Sequence, residues 1–240
     1  MHKKRTDSPA DAIERYITGK ASTCSYCDHL DPLILLEGKD TYITLAIGQI
    51  VEGYVQVCAQ KHRTGVTALN LEEALEFSHM KSLVRQAFRE VYGTPGIAFE
   101  HGKAGSCLWG EAEAQKNITE LCYHCHVHMV PVDVDIRPRI SALLPIEYQV
   151  ESIEQMKVFR EFALDGSPYL YFEDSLERGF LYPVDDARIP RQFLRTCVAL
   201  ELGLAERADW IAHPGTELFD LGRARLQPVL QRLSQKALAK

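Results

Sequence analysis

His124, His126 and His128 alternate with Cys125, Val127 and Met129 in one apolar run that closes at Val130-Pro131. A period of two is the period of a β-strand, whose successive side chains leave opposite faces. The run therefore predicts a strand carrying three imidazoles on one face, with Cys125, Val127 and Met129 turned inward. Three titratable nitrogen ligands held on one rigid element suit either metal binding or nucleophilic chemistry by histidine.

Composition narrows the setting. At 240 residues, 46% of them hydrophobic, the chain can build one sizeable domain, or a domain with an elaborate extension, without staples. The formal net charge is −6, and no Lys/Arg stripe follows the short His2-Lys3-Lys4-Arg5 start, which reads as a solvated tail. A protein that tracks the phosphates of a nucleic-acid polymer is disfavoured, whereas a small phosphorylated ligand needs only a few local donors. The seven cysteines are odd in number and unevenly spread, and no apolar leader precedes them, so reduced thiols in a cytoplasmic protein are expected. The Asn117-Ile118-Thr119 sequon then has no consequence, and no apolar stretch approaches the length needed to cross a bilayer.

Along the chain, a short helix is expected from Asp7 or Ser8 to Gly19, followed by Cys24-Ser25-Tyr26-Cys27 on a loop. Leu33 to Leu36 and Tyr42 to Ile47, separated by Gly38-Lys39-Asp40, read as a β-hairpin, and Gly53 to Ala59 as a third strand ending at His62. Asn70-Leu71-Glu72-Glu73 is a capping box, and Leu71, Leu75, Leu83, Ala87, Phe88 and Val91 keep helical spacing up to Gly93. Ile97 to Glu100 reads as a fourth strand, and Gly102 to Glu120 as a polar insertion before the histidine strand. This order predicts an α+β fold: an antiparallel sheet with a covering helix over residues 20–137, after an N-terminal tail over 1–19. Residues 138–240 form a mixed, mainly helical extension packed on that domain, because their apolar residues are thin for a core of their own. Pro138 and Pro145 bracket a linker; a helix is expected from Gln149 to Leu164, a hairpin from Tyr169 to Phe172 and Phe180 to Tyr182, and helices from about Pro190 and about Leu221.

Cys24-x-x-Cys27 is a candidate zinc half-site, since two thiolates at this spacing can turn toward one ion. It needs two more ligands, and His62 and His124 are available, with His29 as a substitute for His62.

The histidine run resembles the signature of the histidine triad superfamily, His-φ-His-φ-His-φ-φ with φ apolar, and matches it throughout when Cys125 counts as apolar. The resemblance covers roughly residues 20–135. In that superfamily the middle histidine attacks the α-phosphorus of a nucleotide, so the resemblance implies His126 as nucleophile, a nucleotidyl-histidine intermediate and hydrolysis by water. It implies that His128 binds a phosphate oxygen or assists the leaving group. In zinc-containing members, and in galactose-1-phosphate uridylyltransferase, two early cysteines, a histidine after the central hairpin and the first triad histidine form the metal site. This chain supplies Cys24, Cys27, His62 and His124 in that order. A closed four-ligand site is structural, tying the N-terminal loop and third strand to the strand that carries the nucleophile.

Histidine at the third position, as in His128, is similar to the hydrolase branches, where transferases and phosphorylases often carry glutamine. The implied activity is hydrolysis of a phosphoric anhydride or phosphoramide in a small-molecule nucleotide conjugate, adenylylated by resemblance, by a cytoplasmic enzyme. The alternatives are a nucleotidyltransferase or phosphorylase on the same scaffold, a non-catalytic nucleotide-binding or RNA-processing module, and a zinc hydrolase with an open metal site. Family members are commonly homodimers. Phe99-Glu100-His101-Gly102 resembles a turn that precedes the triad in some members, which places Glu100, His101 and Gly102 at the phosphate site, with Ser106 as a further donor. In the helix from Pro190, Arg191, Gln192 and Arg195 lie off the apolar face; the two arginines are candidates to reach phosphate, the alternative being a merely solvated face. One departure stands out: Thr41 to Gly48 contains no carboxylate to hold ribose hydroxyls, and Ala46 falls near that position.

Overall fold

Ile34–Glu37 (β1) and Thr41–Leu45 (β2) form the expected hairpin, closed where the Gly38 N–H donates to the Thr41 carbonyl at 2.8 Å. The computed structural model in which they are seen describes residues 24, 26–27, 31–102, 124–162, 168–184, 189–190 and 192–238. The expected helix over 7–19 and most of the insertion over 102–120 lie outside these residues. Val55–Ala59 (β3) follows, and then Leu71–Tyr92 (α1). The capping box at the start of α1 is present in full: the Asn70 side chain accepts from the Glu73 N–H at 2.9 Å, and the Glu73 carboxylate accepts from the Asn70 N–H at 3.0 Å. Gly93 ends α1 in the left-handed region with φ 75, where a side chain would be strained. The buried stripe of α1 runs through Ala74, Phe77, Leu83, Val84, Ala87 and Phe88, and the expected Leu71 and Leu75 instead face solvent.

Ile97–Gly102 (β4) extends past Glu100, so His101 and Gly102 continue the strand where a turn was expected. His126–Val130 (β5) carries His126 and His128 with the expected period of two, while His124, expected in the same strand, lies two residues before its start. Arg137–Ser141 (α2) is short, and Tyr148–Val150 (β6) corrects the expected helix start at Gln149. Tyr148 and Val150 pair with Leu181 and Gly179, and Ile153–Phe162 (α3) starts only after Ser152, whose Oγ accepts from the Gln155 N–H at 3.1 Å. Tyr169–Glu173 (β7) and Gly179–Pro183 (β8) form the expected hairpin, followed by Phe193–Glu201 (α4) and Phe219–Leu238 (α5).

Among the described residues eight strands make one antiparallel sheet in the order β1-β2-β3-β5-β4-β7-β8-β6, an α+β fold with the histidine strand near the middle. The hairpin of the extension joins the sheet by pairing β7 with β4 over Ala98–Gly102. Side-chain parity divides the sheet into two apolar layers. Val57, Ala98, Val127, Met129 and Tyr171 face one layer with Phe77 and Phe88 of α1 and Leu226 of α5. Ile97, Phe99, Val130, Phe172 and Tyr182 face the other, which α2 and α4 cover with Ile140, Leu194, Cys197 and Val198. Helices therefore lie on both faces, and α4 roofs part of the face that bears the triad. Among the described residues, no helix is long and apolar enough to cross a membrane.

Candidate active site and metal centre

One ligand atom from each of Cys24, Cys27, His62 and His124 lies within 4.8 Å of all the others. The Sγ atoms of Cys24 and Cys27 are each 3.5 Å from Nδ1 of His124, and Cys27 Sγ is 3.5 Å from Nδ1 of His62. A tetrahedral zinc with ordinary bond lengths to sulfur and nitrogen separates those two ligand types by about 3.6 Å, so the donors already stand at the edges of such a site. On its other side, Nε2 of His124 is 2.7 Å from the Ala59 carbonyl. A carbonyl only accepts, so that nitrogen carries the ring proton and Nδ1 is the unprotonated nitrogen, the form that binds a metal. The neighbouring Arg63 holds the His62 segment in place: its carbonyl accepts from the Cys125 N–H at 2.5 Å and its guanidinium pairs with Glu73 at 2.8 Å. That hydrogen bond is the main reason the Glu73 carboxyl is lowered to about 2.

His126 and His128 share one face of β5 and lie against each other, and the His124 carbonyl extends their hydrogen bonds into a row. His126 Nδ1 is 2.7 Å from the His124 carbonyl and must donate to it, which leaves Nε2 of His126 as a bare lone pair. Nε2 of His128 stands 3.1 Å from that lone pair and supplies the proton between them. Nδ1 of His128 then accepts, from the Tyr54 hydroxyl at 2.7 Å and from Gln56 Nε2 at 3.4 Å. The half-buried His126 is lowered to about 4 by desolvation, opposed by the hydrogen bond to the His124 carbonyl. His128, 9% exposed and stacked on Phe99 at 4.8 Å, is held well below the ordinary histidine value by burial and then by its His126 neighbour. At neutral pH His126 and His128 are therefore uncharged imidazoles with assigned tautomers.

Tyr26, between the two cysteines, lies on this row. Its ring stacks on His126 at 4.5 Å with an interplanar angle of 18° and on His124 at 5.3 Å. Its carbonyl accepts from the Tyr42 hydroxyl at 2.9 Å, and its own hydroxyl accepts from Gln56 Nε2 at 3.1 Å. The cysteine loop thus covers one face of the His126 ring and leaves the in-plane lone pair of Nε2 uncovered by that contact.

The structure treats the flanking candidates differently. His101 shares the face of the triad, since the pairing of Phe99 with His128 continues along β4, and its Nε2 accepts from the Leu194 N–H of α4 at 3.3 Å. Burial lowers it to about 3, with His126 adding to the effect. Glu100 has the opposite parity. It is buried on the α1 side of the sheet, where it accepts from the Val66 N–H at 2.9 Å and the Tyr169 hydroxyl at 2.8 Å, and is not brought to the triad. Gly102 leaves room for Tyr169 rather than for a ligand: a Cβ there would come within 2.1 Å of the tyrosine ring. Ser106, His29 and Arg191 lie outside the described residues. Arg195 is buried beneath α4 and bonds the Ala208 carbonyl at 3.0 Å, so it is not a solvated phosphate hook. Sequence reasoning missed Tyr26, Tyr54 and Gln56. The alternation of Tyr54 and Gln56 along their strand was a signal for a shared face, whereas nothing local marked Tyr26.

In sequence pattern and strand geometry, this chain resembles the histidine triad superfamily. No protein-family model matches it, and no curated protein matches it in sequence. Solved structures with some likeness include a hypothetical histidine triad nucleotide-binding protein from Sulfolobus tokodaii, at 11% identity over 89% of this chain and 95% of that one, with a TM-score of 0.42. A zinc-bound histidine triad family protein from Mycobacterium smegmatis shows 18% identity over 51% of this chain and 73% of its own, with a TM-score of 0.30. A uridylyltransferase shows 12% identity over 97% and 96% of the two chains, with a TM-score of 0.43.

Proposed function

We propose that this protein hydrolyses nucleotide conjugates by attack of His126 Nε2 on the α-phosphorus. The observation that carries the reading is the fixed tautomer of His126: with Nδ1 committed to the His124 carbonyl, a neutral, in-plane lone pair is held beside a second imidazole that presents an N–H. In the first step the N–P bond forms as the bond from phosphorus to the leaving group breaks, and Nε2–H of His128 turns its hydrogen bond from His126 to the departing atom, which takes any proton it needs from solvent. In the second step water attacks phosphorus, the N–P bond breaks to return the lone pair to His126 Nε2, and the water proton passes to solvent. Zinc fits the donors Cys24, Cys27, His62 and His124, where it would act structurally, holding the Tyr26 loop and the end of β3 against β5.

The test uses adenylyl and uridylyl conjugates with amine, phosphate and sugar leaving groups, incubated with and without phosphate or sugar-phosphate acceptors. Release of free nucleoside monophosphate independent of acceptor is expected, together with a nucleotidyl adduct on His126 trapped by rapid quench and mass spectrometry. Product that forms only with an acceptor would replace the hydrolase reading with transfer. An adduct on another residue would end the His126 mechanism.

A further inference from the structure

Arg195 is the least expected side chain near the triad. It belongs to α4 of the extension, is 2% exposed, and among the described residues has no carboxylate within ion-pair distance. The acid whose charge it feels, Asp209, uses its carboxylate to cap the Ile211 and Ala212 N–H groups. A guanidinium buried with no counter-charge among the described residues is expensive, and an apolar residue on this buried face of α4 would serve the fold at lower cost. What Arg195 does contact is specific: it donates to the carbonyls of Ala208 and Arg207, and its Cζ stands over the ring of Tyr54, 5.6 Å from the centroid. Tyr54 is fully buried, and its hydroxyl lies 2.7 Å from Nδ1 of His128.

We propose that Arg195 and Tyr54 are positioning residues that set the direction of the hydrogen-bond row, so that His128 presents its Nε2–H toward His126 and the reacting phosphoryl group. The reasoning needs only donor and acceptor inventories. Arginine offers only donors, so the Tyr54 hydroxyl beside it finds no acceptor there and turns its hydrogen to His128 Nδ1. That nitrogen accepts, so His128 carries its proton on Nε2, which faces Nε2 of His126 at 3.1 Å. At the far end the His124 carbonyl can only accept, which draws the His126 proton to Nδ1. A donor-only group at one end and an acceptor-only group at the other leave one arrangement of protons for the whole row. Gln56, at 3.4 Å from His128 Nδ1, is a weaker donor of the same sense. The extension, which roofs this face of the sheet, thereby takes part in the site.

The catalytic consequence rests on the hydrolase reading, but the tautomer does not, and the test separates the two. In the wild-type protein, nitrogen-15 NMR of the imidazoles is expected to show His128 protonated at Nε2 and unprotonated at Nδ1. Tyr54→Phe, which removes one oxygen and keeps the ring, is expected to shift His128 toward a mixture of tautomers. It should lower kcat on the p-nitrophenyl ester of adenosine monophosphate by roughly 10–100-fold, with KM within about twofold. Arg195→Met is expected to behave like Tyr54→Phe, and Arg195→Lys, still a pure donor, to restore much of the wild-type pattern. Should Arg195→Met fail to fold, Tyr54→Phe carries the test alone. Unchanged His128 nitrogen shifts in Tyr54→Phe, or altered shifts with unchanged kcat, would overturn the proposal. A wild-type protein with the expected tautomer that cleaves no nucleotide ester would instead refute the hydrolase reading and leave the positioning intact.

Discussion

Glu173 is the bolt between the two parts of the chain, and removing its charge has a size that can be worked out. Its carboxylate is 6% exposed at the end of β7 and meets Lys81 Nζ at 2.5 Å, the Arg85 guanidinium, and the Tyr171 hydroxyl at 2.6 Å. Both cations stand on α1, so the contact ties the extension hairpin to the principal helix. Burial alone would raise the Glu173 carboxyl, but Lys81 and Arg85 outweigh it and hold it at about 2. Against an ordinary value of 4.5, that difference corresponds to about 3 kcal/mol of stability at neutral pH. A second route gives a similar size. Glu173→Gln would leave Arg85, 2% exposed, with the carbonyls of Pro95, Gly96 and Asp174 and one half-exposed carboxylate, that of Glu177 at 4.0 Å, and weakening the compensation of a buried charge costs up to about 3–5 kcal/mol. Because the folded value lies below the unfolded one, the stabilisation is present in full above the unfolded value and is lost as pH falls toward about 2. Urea unfolding of the wild type and Glu173→Gln is therefore expected to differ by about 3 kcal/mol at pH 7, with the gap shrinking below about pH 4.5. A gap under about 1 kcal/mol at pH 7, or one that persists undiminished at pH 3, would refute this account of the pair.

His126→Ala is expected to lower turnover by at least about a thousandfold while a nucleoside monophosphate still binds within a few-fold of wild type, as read by calorimetry; comparable turnover in the variant would remove His126 from the mechanism. Cys27→Ser is expected to lose stoichiometric zinc by elemental analysis of untagged protein and to melt at a lower temperature, since two of the three short ligand contacts pass through its sulfur; wild-type metal content would sink the site. Gly102→Ala is expected to cost about 1–3 kcal/mol by urea unfolding, because a methyl there meets the buried ring of Tyr169, and a Tyr169→Leu background should relieve much of that cost.

Much of the site was legible because it depends on local periodicity and on order along the chain. A period of two put His126 and His128 on one face, and the capping box with Gly93 bounded α1. The spacing of Cys24 and Cys27 singled out two ligands that the fold brings to His62 and His124. The misplacements share a different cause. Glu100 and His101 are neighbours in sequence, but only the register of β4 on β5 decides which one faces the triad, and a one-residue difference in register exchanges them. Tyr148–Val150 became strand because the edge of β8 was there to pair with it, and Leu71 and Leu75 were left outside because the sheet meets α1 along a neighbouring stripe.

The sequence by itself determined the strand that bears His126 and His128, the α+β order of elements and the Cys24–Cys27 half-site, since each follows from side-chain alternation, caps or short spacing. Only the tertiary structure decided that Tyr26 would lie on His126, that Glu100 would face away, and that an arginine in the extension would stand behind Tyr54 and His128. These are contacts between segments far apart in the chain, set by strand register and by which layer a helix covers, and no local pattern encodes either.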